Sequence, residues 1–133
     1  MTPKYFGFAL LVVACALGRP VFGQASFYRG DCNMSQERDG TAVDIADAAA
    51  LVSFLFGQSG GPPFQPSCMD ACDANDDGAV DMSDPLFVIN FMFRFGPFPP
   101  APGPGLFKDS AGVHLSLPGV DPTEDKLGCG LAV

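Results

Sequence analysis

The chain has 133 residues, with 15 acidic against 7 basic side chains, 16 Gly and 13 Pro. That length allows one small domain, and the acidic balance disfavours nucleic acid and anionic membrane surfaces as partners. No nucleophile stands with a base and no carboxylate pair stands apart from the acidic loops, so nothing supports an enzyme.

Residues 1–25 read as a secretory signal peptide. Lys4 precedes an apolar run over 5–17, and small residues at Gly23 and Ala25 suit a cleavage site. The run is too short for a transmembrane span. Val12-Val13-Ala14-Cys15 offers a second reading, a lipid-attachment box. The expected location is therefore secreted, or at the cell surface or periplasm. Loss of Lys4 and Arg19 leaves five basic against fifteen acidic residues, a formal charge of −10.

Residues 31–47 are acidic and carry a glycine. An EF-hand-type calcium loop places oxygen ligands at positions 1, 3, 5, 9 and 12, a Gly at 6 and a backbone carbonyl at 7. Asp31, Asn33, Asp39, Asp44 and Asp47 suit positions 1, 3, 5, 9 and 12, with Gly40 at 6. The stretch spans seventeen residues where the loop needs twelve. Such an insertion bulges outward while the ends chelate, or it destroys the site; weaker binding is expected. Arg29-Gly30-Asp31 also spells an integrin-type tripeptide, and Asn33-Met34-Ser35 a glycosylation acceptor. The simpler reading is that Gly30, Asp31 and Asn33 open the metal loop.

A helix should follow, in which residues 48–56 leave only Ser53 polar before a stop at Gly57, Gly60, Gly61, Pro62 and Pro63. Residues 73–84 then match the calcium loop in register. Asp73, Asn75, Asp77, Asp81 and Asp84 occupy positions 1, 3, 5, 9 and 12, Gly78 is at 6, and Ala79 offers its carbonyl at 7. Asp84 replaces the usual Glu and is one methylene shorter. One calcium ion is expected here, and a second at 31–47 is possible only if the insertion is tolerated.

The second helix begins near Pro85, tolerated in a first turn, and residues 86–95 leave only Asn90 and Arg94 polar. Val43-Asp44-Ile45-Ala46-Asp47 matches Val80-Asp81-Met82-Ser83-Asp84 at an offset of 37, which marks an internal repeat. Both helices are more apolar than surface helices of a small domain. Phe54 and Phe56, like Phe91 and Phe93, project about 200° apart, so one of each pair should face away from the core. That spare face is covered by the Pro-rich segment 97–105 and the tail, or it meets another protein, including a second copy. Segment 97–105 reads as extended, and 106–117 carries no clear signal. Residues 121–129 read as an Asp-capped helical turn stopped by Gly128.

Beyond Cys15 the chain holds Cys32, Cys68, Cys72 and Cys129, an even number that in a small exported domain implies two disulfides. Three connectivities are open. The favoured one ties Cys32 to Cys72, between the two loop openings, and Cys68 to Cys129, between the tail and the middle of the domain. Zinc is disfavoured, because there is no second tight Cys pair and His114 is the single histidine.

Two tandem loops of the form Asp-x-Asn-x-Asp-Gly-x-Val-Asp-x-x-Asp, each followed by one helix, resemble the type I dockerin module. The segments 29–33, 70–78 and 121–129 are similar to dockerin-like repeat domains of large secreted bacterial proteins. The resemblance implies a small, mainly α fold of two calcium loop–helix (F-hand) repeats packed antiparallel with pseudo-twofold symmetry, joined by Pro/Gly-rich loops to a disulfide-tied tail. Unit 1 would span about 29–63 and unit 2 about 70–100, within a domain over 26–105 and ahead of a tail over 106–133. It implies docking to a cohesin-type protein partner through loop positions 10 and 11: Ile45 and Ala46, Met82 and Ser83. These are mostly apolar, unlike the hydroxyl-rich pairs of the family. By association it also implies a link to polysaccharide catabolism. The alternatives are a self-associating structural module of the cell surface, or a detached fragment of a larger secreted polysaccharide-degrading protein.

Overall fold

A computed structural model describes residues 25–35, 41–57, 62–109 and 112–130. The signal-peptide reading, Cys15 and Asp39 lie outside the described residues. The elements run α1 (Ile45–Phe56), α2 (Met69–Cys72), α3 (Ser83–Phe93), β1 (Leu106–Asp109) and β2 (Gly112–Leu115). The protein is small and mainly helical, as expected. None of its described helices is long and apolar enough to cross a membrane.

Each long helix starts on the last residues of an acidic loop. Asp44 caps α1: its Oδ1 accepts the Ala46 N–H at 2.6 Å, while Asp47 Oδ2 accepts the Asp44 N–H at 2.8 Å, a reciprocal capping box. The same pair of bonds opens α3. Asp81 Oδ1 accepts the Ser83 N–H at 2.7 Å and Asp84 Oδ2 accepts the Asp81 N–H at 2.8 Å. Pro85 lies buried in the first turn of α3, as expected. That helix stops where Gly96 folds back to donate to the Asn90 carbonyl at 2.9 Å. A Cβ at Gly96 would stand 2.8 Å from the Asn90 carbonyl carbon, so no larger residue fits that stop.

The main core lies between α1 and α3 and draws on both loop–helix units: Cys32, Val43, Ala48 and Leu51 from the first, Cys72, Ala74, Val88 and Phe91 from the second. A smaller cluster joins Phe27, Cys68 and Ala71, with Cys129 against it. The disulfides are Cys32–Cys72 and Cys68–Cys129, the favoured pairing. Each staples one cluster.

Two expectations need correction. Residues 106–117, without a clear signal in the sequence, hold an antiparallel hairpin in which Leu106 pairs Leu115 and Asp109 pairs Gly112. Its strands are four residues each and β2 is exposed throughout, so no alternation of polar and apolar residues was there to mark it. Residues 121–129 do not form a helical turn. Asp121 Oδ1 accepts the Thr123 N–H at 3.1 Å, an Asx-type turn that offers the same local bond as a helix cap without a helix after it. The segment instead lies against α2 through the Met69 N–H to Gly128 carbonyl bond at 2.9 Å and the Cys68–Cys129 link.

The apolar helix faces divide as the 200° argument requires. Phe91 is buried and packs against Phe98 of the Pro-rich segment, ring centres 5.2 Å apart, whereas Phe93 is 61% exposed. Phe54 is half-buried and Phe56 is 68% exposed. The Pro-rich segment covers one α3 phenylalanine and leaves the other in solvent.

Candidate metal centre

In loop 2 the carboxylates turn inward and are held by backbone N–H groups. Asp73 Oδ1 accepts the Asp77 N–H at 3.1 Å and its Oδ2 accepts the Gly78 N–H at 2.8 Å. Gly78 sits at φ 82°, the left-handed turn that position 6 demands. Asn75 Oδ1 also accepts the Asp77 N–H, at 3.1 Å, and Asp77 Oδ1 accepts the Ala79 N–H at 3.1 Å. Asp84 closes the loop, its Oδ1 accepting the Ala74 N–H at 2.9 Å. The shorter side chain at position 12 thus still reaches back across the loop.

Loop 1 repeats these bonds. Asp31 Oδ1 and Asn33 Oδ1 both accept the Ser35 N–H, at 3.0 and 2.7 Å. Asp47 Oδ1 accepts the Asn33 N–H at 3.1 Å. The N–H that Asp77 supplies in loop 2 is therefore supplied by Ser35 in loop 1. Asp39, expected at position 5, lies outside the described residues.

The electrostatics suit a hard cation. Asp31, Asp47, Asp73 and Asp84 are buried. Burial pushes the Asp84 carboxyl up to about 7, with Asp73 adding to the rise. Burial, then Asp47, likewise raises Asp31 to about 7, and burial raises Asp47 to about 7. Asp73 is raised, again by burial first. Exposed Asp81 is lowered by the Ser83 N–H. Buried carboxylates of one sign destabilise each other and the fold. A divalent cation coordinated by oxygens removes that penalty, and every side-chain donor that both loops offer is an oxygen.

One residue behind loop 2 had no local signal. Arg29 is fully buried. Its Nη1 donates to the Asp70 and Asp73 carbonyls at 3.3 and 3.1 Å, and its Nε to the Ala101 carbonyl at 3.3 Å. Its Nη2 lies 2.6 Å from Asp121 Oδ1 and 3.1 Å from Asp76 Oδ1. The guanidinium also stands over the Phe27 ring at 5.5 Å. It joins the segment around Phe27, the opening of loop 2, the Pro-rich segment and the tail, and it is not available as an integrin-type ligand. The only hint in the sequence is a lone cation in front of an acidic loop.

The residues expected to touch a partner lie at the helix starts. Ile45, Ala46 and Met82 are exposed and Ser83 is half-buried. Ile45 also lines an apolar groove of about 370 Å³ with Ala48, Val52 and Ile89, between α1 and α3. His114 is exposed, as expected, with its ring 5.0 Å from that of Phe98.

The family model of the type I dockerin domain matches residues 29–93. No curated protein and no solved structure matches the chain. The matched span opens at Arg29 and closes at the last residue of α3, so it contains both acidic loops, both long helices and the Cys32–Cys72 disulfide.

Proposed function

Residues 29–93 belong to the type I dockerin family, a family of calcium-binding, non-catalytic modules that dock proteins to cohesins, and from that premise we propose that this chain is a secreted docking module whose hold on its partner depends on calcium. In loop 2 the ion is held by Asp73, Asn75, Asp77, Asp81, Asp84 and the Ala79 carbonyl. In loop 1 Asp31, Asn33, Asp39, Asp44 and Asp47 hold a second, more weakly. The two loop–helix units pack antiparallel about a pseudo-twofold, and the partner reads Ile45, Ala46, Met82 and Ser83.

The observation that carries this reading is the shared closure of the two loops. Asp47 and Asp84 each bond the backbone of the loop's third residue and of its ninth. The residue that leaves the loop is thereby the residue that starts the helix, so an ion that fixes the carboxylates fixes the helix starts. Positions 10 and 11 sit there. Because those side chains are mostly apolar, the partner surface should present an apolar patch where hydroxyl-rich dockerins meet polar groups. Surface plasmon resonance over immobilised cohesin modules tests the proposal. Binding in calcium, lost in EDTA and lost in the Ile45→Glu, Met82→Glu double variant, is expected. A folded, calcium-loaded chain that binds no cohesin removes the partner class.

Self-association is the second reading, favoured by the exposure of Phe56, Phe93 and Phe95. Light scattering separates the two, since a chain that is monomeric without partner excludes it.

A further inference from the structure

Apart from the two loops, the tail brings a third group of carboxylates together. One carboxylate oxygen from each of Asp70, Asp121 and Asp125 lies within 4.8 Å of the other two. Asp70 belongs to α2, ahead of loop 2, and the other two belong to the tail.

Asp70 is only 2% exposed, and its Oδ1 is buried without any hydrogen-bond partner. Its Oδ2 has as neighbour the Cys129 Sγ at 3.8 Å, which carries no proton in the Cys68–Cys129 disulfide. Among the described residues nothing donates a proton to this carboxyl. Arg29, the nearest cation, donates to the Asp70 carbonyl and not to its side chain. The other two carboxylates each keep an oxygen free among the described residues. Asp121 takes the Arg29 and Thr123 donors on Oδ1 alone, and Asp125 takes the Leu127 N–H on Oδ1. Around Arg29 stand Asp70, Asp73, Asp76, Asp121 and Asp125, five carboxylates to one guanidinium.

A buried carboxyl without a donor is costly unless something compensates it. We propose that Asp70, Asp121 and Asp125 form a further calcium site, separate from the two loops, that clamps the tail onto α2. Three oxygens from three carboxylates are hard ligands. Two oxygens on one calcium ion can stand up to about 4.8 Å apart, and the three lie within that bound. Asp125 is exposed, so the mouth of the site is open to water, which completes the shell.

Equilibrium dialysis of the full-length chain with calcium tests this by stoichiometry. Asp70→Asn leaves both loop ligand sets intact and should bind one ion fewer per chain than the parent. Asp125→Asn should do the same, and its exposed position makes it the deciding variant should Asp70→Asn not fold. The difference of one ion holds however many ions the loops take, so failure of the loop assignment would not mimic failure here. If the buried Asp70 is simply protonated, folded variants bind as many ions as the parent, and the proposed site does not exist.

Discussion

In loop 2, twelve residues from Asp73 to Asp84 close on themselves, and behind them stand Arg29, the tail and the Cys68–Cys129 disulfide. In loop 1, seventeen residues from Asp31 to Asp47 close with the same bonds at both ends. Asp31 and Asp47, unlike Asp73, have no guanidinium among the groups that shift them. The comparison separates two requirements of a cation loop. The ends must close on each other, and both loops do so. The spacing must match a twelve-residue loop, and only loop 2 has it. Rigidity tunes affinity for calcium, so the two sites should differ in strength though they share a closure.

Removal of calcium should have the largest effect, because it leaves like charges buried in both loops at once. Far-UV circular dichroism in EDTA should show partial loss of helix relative to calcium. Superimposable spectra would mean that the disulfides alone hold the fold and that the loops are equivalent in being dispensable.

Arg29 comes next. Arg29→Met leaves Asp121 and Asp76 without their cation and removes the guanidinium donors from the Ala101, Asp70 and Asp73 carbonyls. Breaking a buried ion pair from one side costs about 3–5 kcal/mol, to be read from thermal melts in calcium. Because Arg29 donates to the Asp73 carbonyl, calorimetric titration of the variant should also weaken the stronger calcium site and leave the weaker one unchanged. Equal weakening of both would erase the asymmetry.

The loops themselves give the third test. Asp73→Ala or Asp84→Ala should abolish most calcium affinity, and Asp31→Ala should cost less, as measured by calorimetry. A larger loss from Asp31→Ala would reverse the ranking of the two loops.

The legible parts of this molecule were those written in short spacings. The twelve-residue spacing of loop 2 and Pro85 in the first turn of α3 both act within a short stretch of sequence. The Ser35 N–H that stands in loop 1 where the Asp77 N–H stands in loop 2 was not legible, because Ser35 shares no side-chain chemistry with Asp77. Arg29 was not legible either. Its acid Asp121 is 92 residues away, and an exposed and a buried arginine look alike in a sequence. The tail misled for a related reason. An Asp followed two residues later by a backbone N–H is the opening bond of a helix and equally of an Asx turn, and the tertiary contact to Arg29 decided between them.

Acidity provides a smaller test with opposite signs for the two states. In the metal-free protein Asp31, Asp47 and Asp84 hold their protons to about pH 7, while the unfolded chain releases them near 3.9. A raised carboxyl favours the folded state fully below about pH 4, and that contribution is lost as pH rises through about 7. The metal-free melting temperature should therefore fall from pH 4 to 7.5. The calcium-loaded protein should show the reverse, since protons displace the ion. Asp47 is buried and raised, so Asp47→Asn should flatten the metal-free profile more than Asp81→Asn, whose carboxyl is exposed and lowered.

The smallest expected effect concerns the exposed faces of the helices that leave the two loops, with their buried faces as the reference. Phe91 on α3 is buried against Phe98, and its neighbour one face away, Phe93, is in solvent. Phe54 on α1 is half-buried and Phe56 is in solvent. Phe91→Ser should destabilise the monomer by about 3–5 kcal/mol, as large truncations in a core do, and Phe54→Ser by less, because less of its surface is withdrawn from water. Phe56→Ser and Phe93→Ser should leave the melting temperature nearly unchanged, within about 0.5 kcal/mol. The exposed pair then becomes informative for a different reason. Burying a phenylalanine is worth roughly 1.5–3 kcal/mol, so if the outward faces take part in docking or self-association, the same two substitutions that spare stability should weaken binding or shift a dimer to monomer. A loss of monomer stability from Phe93→Ser as large as that from Phe91→Ser would place both phenylalanines in one core and end the case for an outward-facing surface on α3.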